Sequence, residues 1–347
     1  MIREGLTFDD VLLVPQHSTV ESRSKVDLSV TWGDLHYNHP IIPANMKTVT
    51  GLEMATKVIE STGLAILHRF MPIEEQIQAA KFLNDKFKNK HFAMSVGVKS
   101  SDREAVKRFM EVGVRMFCID IAHGDSKHCL DMISWIKNNS MMGAFVIAGN
   151  VATGHGARLL WEAGADVVKV GVGPGSLCTT RIETGNGVPQ LTALMDVAET
   201  QRQLRERERA SKYPNEKQRT FPFIADGGIK SPGDVVKALC FADMVMVGNM
   251  FAGCAETPGQ VLSIDGRSFK EYVGSSTHKT NRVEGVAAIV PIKGTFQSVL
   301  NKLIEGLQSG CSYQGAHNLA ELRDNPEFIR ITVAGLKESH PHDVILK

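Results

Sequence analysis

No stretch of this 347-residue chain reaches the ~18 uninterrupted apolar residues that a membrane-spanning helix needs. The amino-terminal Met1-Ile2-Arg3-Glu4-Gly5 lacks the apolar run of a signal peptide. An excess of one charge is missing too. Thirty-nine Lys and Arg offset 38 Asp and Glu, giving a formal net charge of +1. No bulk field therefore draws nucleic acid or anionic lipid, and neither is expected as a partner. The six cysteines (Cys118, Cys129, Cys178, Cys240, Cys254 and Cys311) form no C-x-x-C pair and show no zinc spacing. Their scatter points to reduced thiols and a cytoplasmic setting. What is present is ordinary globular composition, 43% hydrophobic and 22% charged, with length enough for one large core.

Short apolar runs recur along the chain, each followed by a polar or Gly-rich turn and a helical pattern. They begin at Pro40, Leu64, Phe92, Met116, Phe145, Val167, Phe223 and Met244. Each reads as a strand buried on both faces, as parallel sheets require. Most lie ~20–30 residues apart, close to one βα unit. Eight such units predict a (β/α)8 TIM barrel; a doubly wound open sheet is the alternative that this count disfavours. Gly113 and Gly164 read as helix C-caps. Ser231-Pro232-Gly233-Asp234 reads as a helix start. Two segments break the rhythm. Residues 201–220 are highly charged and read as a solvated helix and loop. Residues 265–293, rich in Gly, Ser, Thr and Lys, read as a long loop acting as a mobile lid.

The most informative stretch is Gly171-Val172-Gly173-Pro174-Gly175-Ser176-Leu177-Cys178-Thr179-Thr180-Arg181. Three glycines let the backbone approach a ligand, and a thiol follows at once. The N–H groups of such a loop suit a phosphate and its carbonyls suit a cation. A tight turn with a small buried Cys is the ordinary alternative. The surrounding Gly, Ser and Thr favour a nucleophile.

In a barrel the chemistry gathers at the carboxyl ends of the strands. Met46, His68, Arg69, Asp120, His123, Asn150, Cys178, Thr180, Asp226 and Gly248-Asn249 all fall there. Loops seven and eight often hold phosphate in this architecture. Asp226 would repel phosphate, so it reads as a ligand for sugar hydroxyls or as a turn residue. A ribose beside a phosphate means a nucleotide. Asp120 ends an apolar strand and reads either as functional or as a buried Asp satisfied by backbone. His68 and His123 have no carboxylate spacing to complete a metal set, and no transition-metal site is expected.

The 171–181 string resembles the Cys loop of the inosine-monophosphate dehydrogenase and guanosine-monophosphate reductase family. Gly185-Asn186-Gly187-Val188-Pro189-Gln190, Leu6-Thr7-Phe8-Asp9-Asp10, Pro43-Ala44-Asn45-Met46, Ala225-Asp226-Gly227-Gly228-Ile229 and Cys311-Ser312-Tyr313-Gln314-Gly315-Ala316 match as well, covering about residues 6–332. The resemblance implies one of two reactions. Either inosine monophosphate (IMP) is oxidised to xanthosine monophosphate with NAD, or guanosine monophosphate (GMP) is reduced to IMP and ammonia with NADPH. Three features are similar to the reductase branch. No regulatory domains are inserted between Arg69 and Phe92, the 274–284 stretch has no Arg-Tyr pair, and Tyr272-Val273-Gly274-Ser275-Ser276 fits that branch.

On this resemblance Cys178 forms a covalent thioimidate, with Thr180 and Glu284 moving the proton. Ser176, Asp226, Gly228, Gly248, Asn249, Tyr272, Gly274, Ser275, Met46 and Asn150 hold the nucleotide, and Asp120, Ala122 and Arg69 meet the NADPH cofactor. The carbonyls of Gly173, Gly175 and Cys178 take a potassium ion, and the chain forms a homotetramer. A minimal IMP dehydrogenase and a non-catalytic purine nucleotide-binding barrel are the alternatives. Lys47 departs from the family pattern, as does the length of residues 201–220.

Overall fold

The apolar runs become eight parallel strands: Ile41–Pro43, Ala65–Leu67, Phe92–Val96, Met116–Asp120, Phe145–Val151, Val167–Val170, Phe223–Asp226 and Met244–Val247. This computed structural model describes residues 2–87, 92–140, 143–210, 219–274, 285–342 and 344. The second to eighth strands follow one another in chain order, and the eighth pairs in parallel with the first, Met246 opposite Ile42. The first and second strands stand at the two ends of that order, so the TIM barrel is near-closed, with one seam lacking a ladder. The strands are almost wholly buried. The polar residues Asp120, Asn150 and Asp226, at or next to the carboxyl ends of their strands, are only half-buried. That rim is where side chains can meet a ligand.

The helices begin and end as their sequences dictate. Gly113 (φ +90°) and Gly164 (φ +108°) adopt the left-handed geometry just past two helices. The Ser231 hydroxyl accepts the Asp234 N–H at 3.2 Å, with Pro232 opening the helix. Two aspartates repeat one device at the amino end of the barrel. Asp166, before the sixth strand, accepts the Val146 N–H of the fifth at 2.7 Å. Asp243, before the eighth, accepts the Phe223 N–H of the seventh at 3.0 Å. Each satisfies a buried donor that the ladder leaves free. A hairpin (Val30–Trp32 with Leu35–Tyr37) closes this end, Trp32 stacking on Phe145 at 6.1 Å.

Two expectations need correction. The segment 265–293 is not a loop without structure of its own. Strands Val261–Ile264, Arg267–Val273 and Ala287–Pro291 form an antiparallel sheet. The Gly, Ser, Thr and Lys content of the whole segment hid it, although Ala287-Ala288-Ile289-Val290-Pro291 is itself an apolar run. Residues 275–284 within it lie outside the described residues. The charged 201–220 segment is not wholly solvated. It continues the helix Gln190–Arg209, where Gln201 and Leu204 are buried. The Gln201 amide donates to the Phe221 carbonyl at 2.8 Å. Residues 211–218 are outside the described residues.

Two histidines buried at the barrel's ends carry a pH dependence. His39, just before the first strand, accepts the Ile41 N–H on Nδ1 and faces the Ser61 hydroxyl with Nε2 at 3.0 Å. His68, just after the second, accepts the Phe70 N–H on Nδ1 at 3.1 Å. Burial pushes His39 down to about 4. Burial, aided by the Lys47 ammonium, does the same to His68. The unfolded chain, with ordinary imidazoles near 6.5, binds more protons between pH 6.5 and 4, so stability falls as pH drops through that window. Each histidine contributes up to about 3 kcal/mol to that fall. Urea titrations from pH 7 to 4.5 should show it, and His39→Gln should remove about half of the slope. An unchanged slope contradicts this assignment.

Candidate functional site

The sixth strand hands the chain to the Cys loop through Gly171. Its φ is +151°, and a Cβ there would overlap the Asp226 carbonyl oxygen of the seventh strand. Only glycine permits that approach. The loop then turns back, with the Cys178 N–H donating to the Gly175 carbonyl at 3.1 Å. Cys178 is half-buried, whereas the other five cysteines are buried. Burial pushes the thiols of Cys129, Cys254 and Cys311 up to about 12, and those of Cys118 and Cys240 higher still. Five of the six thiols are thus kept neutral at physiological pH. The sulfur of Cys178 lies 3.2 Å from the Thr180 hydroxyl, at the start of the short helix Thr180–Thr184.

This loop borders a cavity of about 280 Å³ at the carboxyl rim. The volume is just under the ~300–1,000 Å³ of small-molecule sites, so it suits a compact ligand. Among the expected site residues, Cys178, Thr180, Ser176, Asp226, Tyr272, Gly274, Met46, Asn150, Asp120, Ala122, Arg69, Gly173 and Gly175 all line it. Gly228, Gly248 and Asn249 do not. Gly228 turns toward Gln190 and Phe8, and Asn249 accepts the Lys293 ammonium on its side chain at 3.1 Å. Gly248 backs the cavity wall, since a Cβ there would come within 2.6 Å of the Tyr272 hydroxyl. Glu284 and Ser275 lie outside the described residues. Their neighbour Gly285 is docked on the Cys loop, its N–H donating to the Thr179 hydroxyl at 3.0 Å.

The electrostatics centre on a residue that the apolar run concealed. Lys169, on the sixth strand, is 2% exposed. Its ammonium lies 3.0 Å from Asp120 and 2.6 Å from Asp226. The Asn150 amide donates to the same Asp226 oxygen at 2.9 Å and to the Gly171 carbonyl at 2.8 Å. The two carboxylates hold the Lys169 ammonium in its charged form against the burial that opposes it. The signal was available in Val167-Val168-Lys169-Val170: a lysine inside a buried strand is rarely tolerated without a partner.

The rest of the lining is polar at single points. The Ser176 hydroxyl and the Tyr272 hydroxyl are 3.3 Å apart. The Arg69 guanidinium lies 4.8 Å over the Phe70 ring, and its Nε is buried without a partner among the described residues. That orphan donor on a cation suits an anionic group, as a phosphate-bearing nucleotide or cofactor requires. The carbonyls of Gly173, Gly175 and Cys178 are oxygens of the kind a hard monovalent cation takes. His68 and Lys47 border a separate outer cleft, and His123 is exposed. A larger cavity of about 500 Å³ lies at the amino end of the barrel, beneath Trp32 and Phe145. Its lining includes neither cysteine nor histidine, and it is remote from the Cys loop.

Comparison with known proteins agrees with this geometry. The IMP dehydrogenase / GMP reductase domain profile matches residues 5–342. A GMP reductase of Latilactobacillus sakei is 38% identical over 327 residues, covering 91% of this chain and 93% of that one. An inosine-5'-monophosphate dehydrogenase of Nitrosopumilus maritimus is 31% identical, covering 99% of each. Among solved structures, a GMP reductase from Trypanosoma brucei in complex with guanosine 5'-monophosphate superposes with a TM-score of 0.88 at 28% identity, covering 99% of each chain. With the barrel, the Cys loop and these matches in agreement, the chain belongs to the IMP dehydrogenase / GMP reductase family of nicotinamide-dependent oxidoreductases.

Proposed function

We propose that the protein is a GMP reductase, converting GMP to IMP and ammonia with NADPH. The observation that carries the reading is the half-buried Cys178 sulfur beside the Thr180 hydroxyl, in a cavity that Asp120 and Asp226 also line. The sulfur, as thiolate, adds to C2 of the guanine ring. The C2–N2 bond then breaks and N2 leaves as ammonia, with a proton relayed through Thr180 from Glu284. NADPH, when bound, supplies the hydride that C2 accepts. The C2–S bond breaks last, returning the Cys178 thiolate and IMP.

Ser176, Asp226, Tyr272 and Gly274 hold the nucleotide, with Gly248, Ser275, Met46 and Asn150 around them. Asp120, Ala122 and Arg69 face the cofactor, and the Gly173, Gly175 and Cys178 carbonyls take a potassium ion. The flap across 265–293 closes over the ligand and excludes water. That exclusion separates this reaction from the related oxidation, because a wet thioimidate would be hydrolysed to xanthosine monophosphate. A homotetramer in the cytoplasm completes the reading, and six free thiols suit a reducing compartment. The dehydrogenase reading keeps one specific support, relatives of that name matching over the full chain. Against it stands the absence of an Arg-Tyr pair in residues 274–284.

Absorbance at 340 nm decides between them. Loss of signal with GMP plus NADPH is expected; gain with IMP plus NAD and none with GMP would make the protein a dehydrogenase. Cys178→Ala should abolish turnover while leaving nucleotide affinity within a few-fold. Thr180→Val should lower kcat by about 10²–10⁴, the span of a lost proton-transfer group. Under native conditions, iodoacetamide should label one thiol per chain, at Cys178, and bound GMP should protect it. Labelling spread over several cysteines contradicts the burial pattern.

A further inference from the structure

The function proposed above uses Asp120 and Asp226 and leaves the Lys169 ammonium between them without a part. Lys169 projects from the sixth strand, Asp120 ends the fourth and Asp226 ends the seventh. Asn150, on the fifth, joins through Asp226. One network thus ties the carboxyl ends of four consecutive strands beneath the ligand cavity, and all four side chains line it. Both carboxylates give one oxygen to a single ammonium, so neither can turn without moving the other. Surface ion pairs contribute little to any such constraint, but this cation is 2% exposed and has no water to replace its partners.

We propose that Lys169 is a positioning residue that couples the nucleotide and cofactor subsites, by fixing Asp226 and Asp120 as an oriented pair. This inference rests on the nucleotide reading above. Lys169 presents Asp226 to the nucleotide with one oxygen already committed, leaving the other for a ligand hydroxyl. Through the same ammonium, the state of Asp120 on the cofactor side sets how strongly Asp226 accepts. Removal of the ammonium leaves Asp120 and Asp226 lining one cavity with no cation between them, where like charges disfavour a second ionised carboxylate. The other titratable group beside Lys169 is the Cys118 thiol of the fourth strand. Burial keeps that thiol neutral well above neutral pH. The new titration therefore belongs to the carboxylates.

The test is equilibrium binding of GMP, without cofactor, by calorimetry at pH 6, 7 and 8. The proteins are the wild type, Lys169→Met, Asp226→Asn, Asp120→Asn and the Lys169→Met/Asp226→Asn pair. Lys169→Met should weaken GMP at least tenfold at pH 8. The ratio of its affinity to that of the wild type should change at least threefold between pH 6 and 8; taking the ratio cancels titration of the GMP phosphate itself. The double variant should bind no more weakly than the poorer single one. Asp120→Asn should weaken GMP about threefold although it lies on the cofactor side. A pH-independent ratio, or losses that multiply in the double variant, overturns the coupling. Should Lys169→Met fail to fold by circular dichroism, Asp120→Asn decides, and an unchanged GMP affinity overturns the proposal. A wild type that binds neither GMP nor IMP overturns the nucleotide reading together with the coupling. Binding in the wild type without the expected variant pattern overturns the coupling alone.

Discussion

The backbone of Gly171 rests against the carbonyl of Asp226, and the placement of the Cys178 sulfur depends on that contact. A parallel barrel brings all its carboxyl strand ends to one rim. It does not by itself place any loop to within an ångström. The absent Cβ at Gly171 lets the sixth strand's exit lie on the seventh strand's end, and the Cys loop starts from there. Asn150 reinforces the junction by donating to the Gly171 carbonyl and the Asp226 carboxylate together. The loop's far side is tied to the antiparallel sheet, where Val286 N–H donates to the Leu177 carbonyl at 3.1 Å. Cys178 thus hangs between two anchored supports.

Charge within the barrel strands is concentrated in one place. Their interiors are otherwise apolar or neutral, as at Ser95, and five of six thiols are silenced by burial. The exception is the Lys169 network, which puts one ammonium and two carboxylates under the cavity floor. A buried ion cluster is a weak source of stability. Its place in the cavity lining fits the positioning role proposed for Lys169. Elsewhere in the lining Ser176 and Tyr272 supply neutral hydroxyls and Arg69 a cation, so the cavity holds groups of both charges.

Much of this was legible in the residues. Eight apolar runs give the barrel, since strands covered on both faces leave no alternation to misread. The glycines and hydroxyls around Cys178 marked the loop, and Asp120, Asn150 and Asp226 announced themselves by ending apolar strands. Lys169 did not, because inside Val-Val-Lys-Val it reads as one polar letter in a core strand, and its partners are 49 residues before it and 57 after. The antiparallel sheet escaped for another reason: its strands Val261–Ile264 and Ala287–Pro291 are largely exposed, and the apolar run of the second lies in a segment dominated by Gly, Ser, Thr and Lys. Asn249 looked like a ligand group by its place after the eighth strand, but Lys293 from the sheet occupies it. Tertiary partners that come from distant segments leave no local trace.

The central claim is that the Cys178 sulfur bonds to the base of a bound purine nucleotide. A crystal structure of the protein soaked with GMP tests it most directly. The account predicts the purine C2 within bonding distance of that sulfur, or poised about 3–3.5 Å away, with the ribose toward Asp226. A nucleotide seated elsewhere, or a Cys178 sulfur turned away from the ring into the apolar interior, would contradict it.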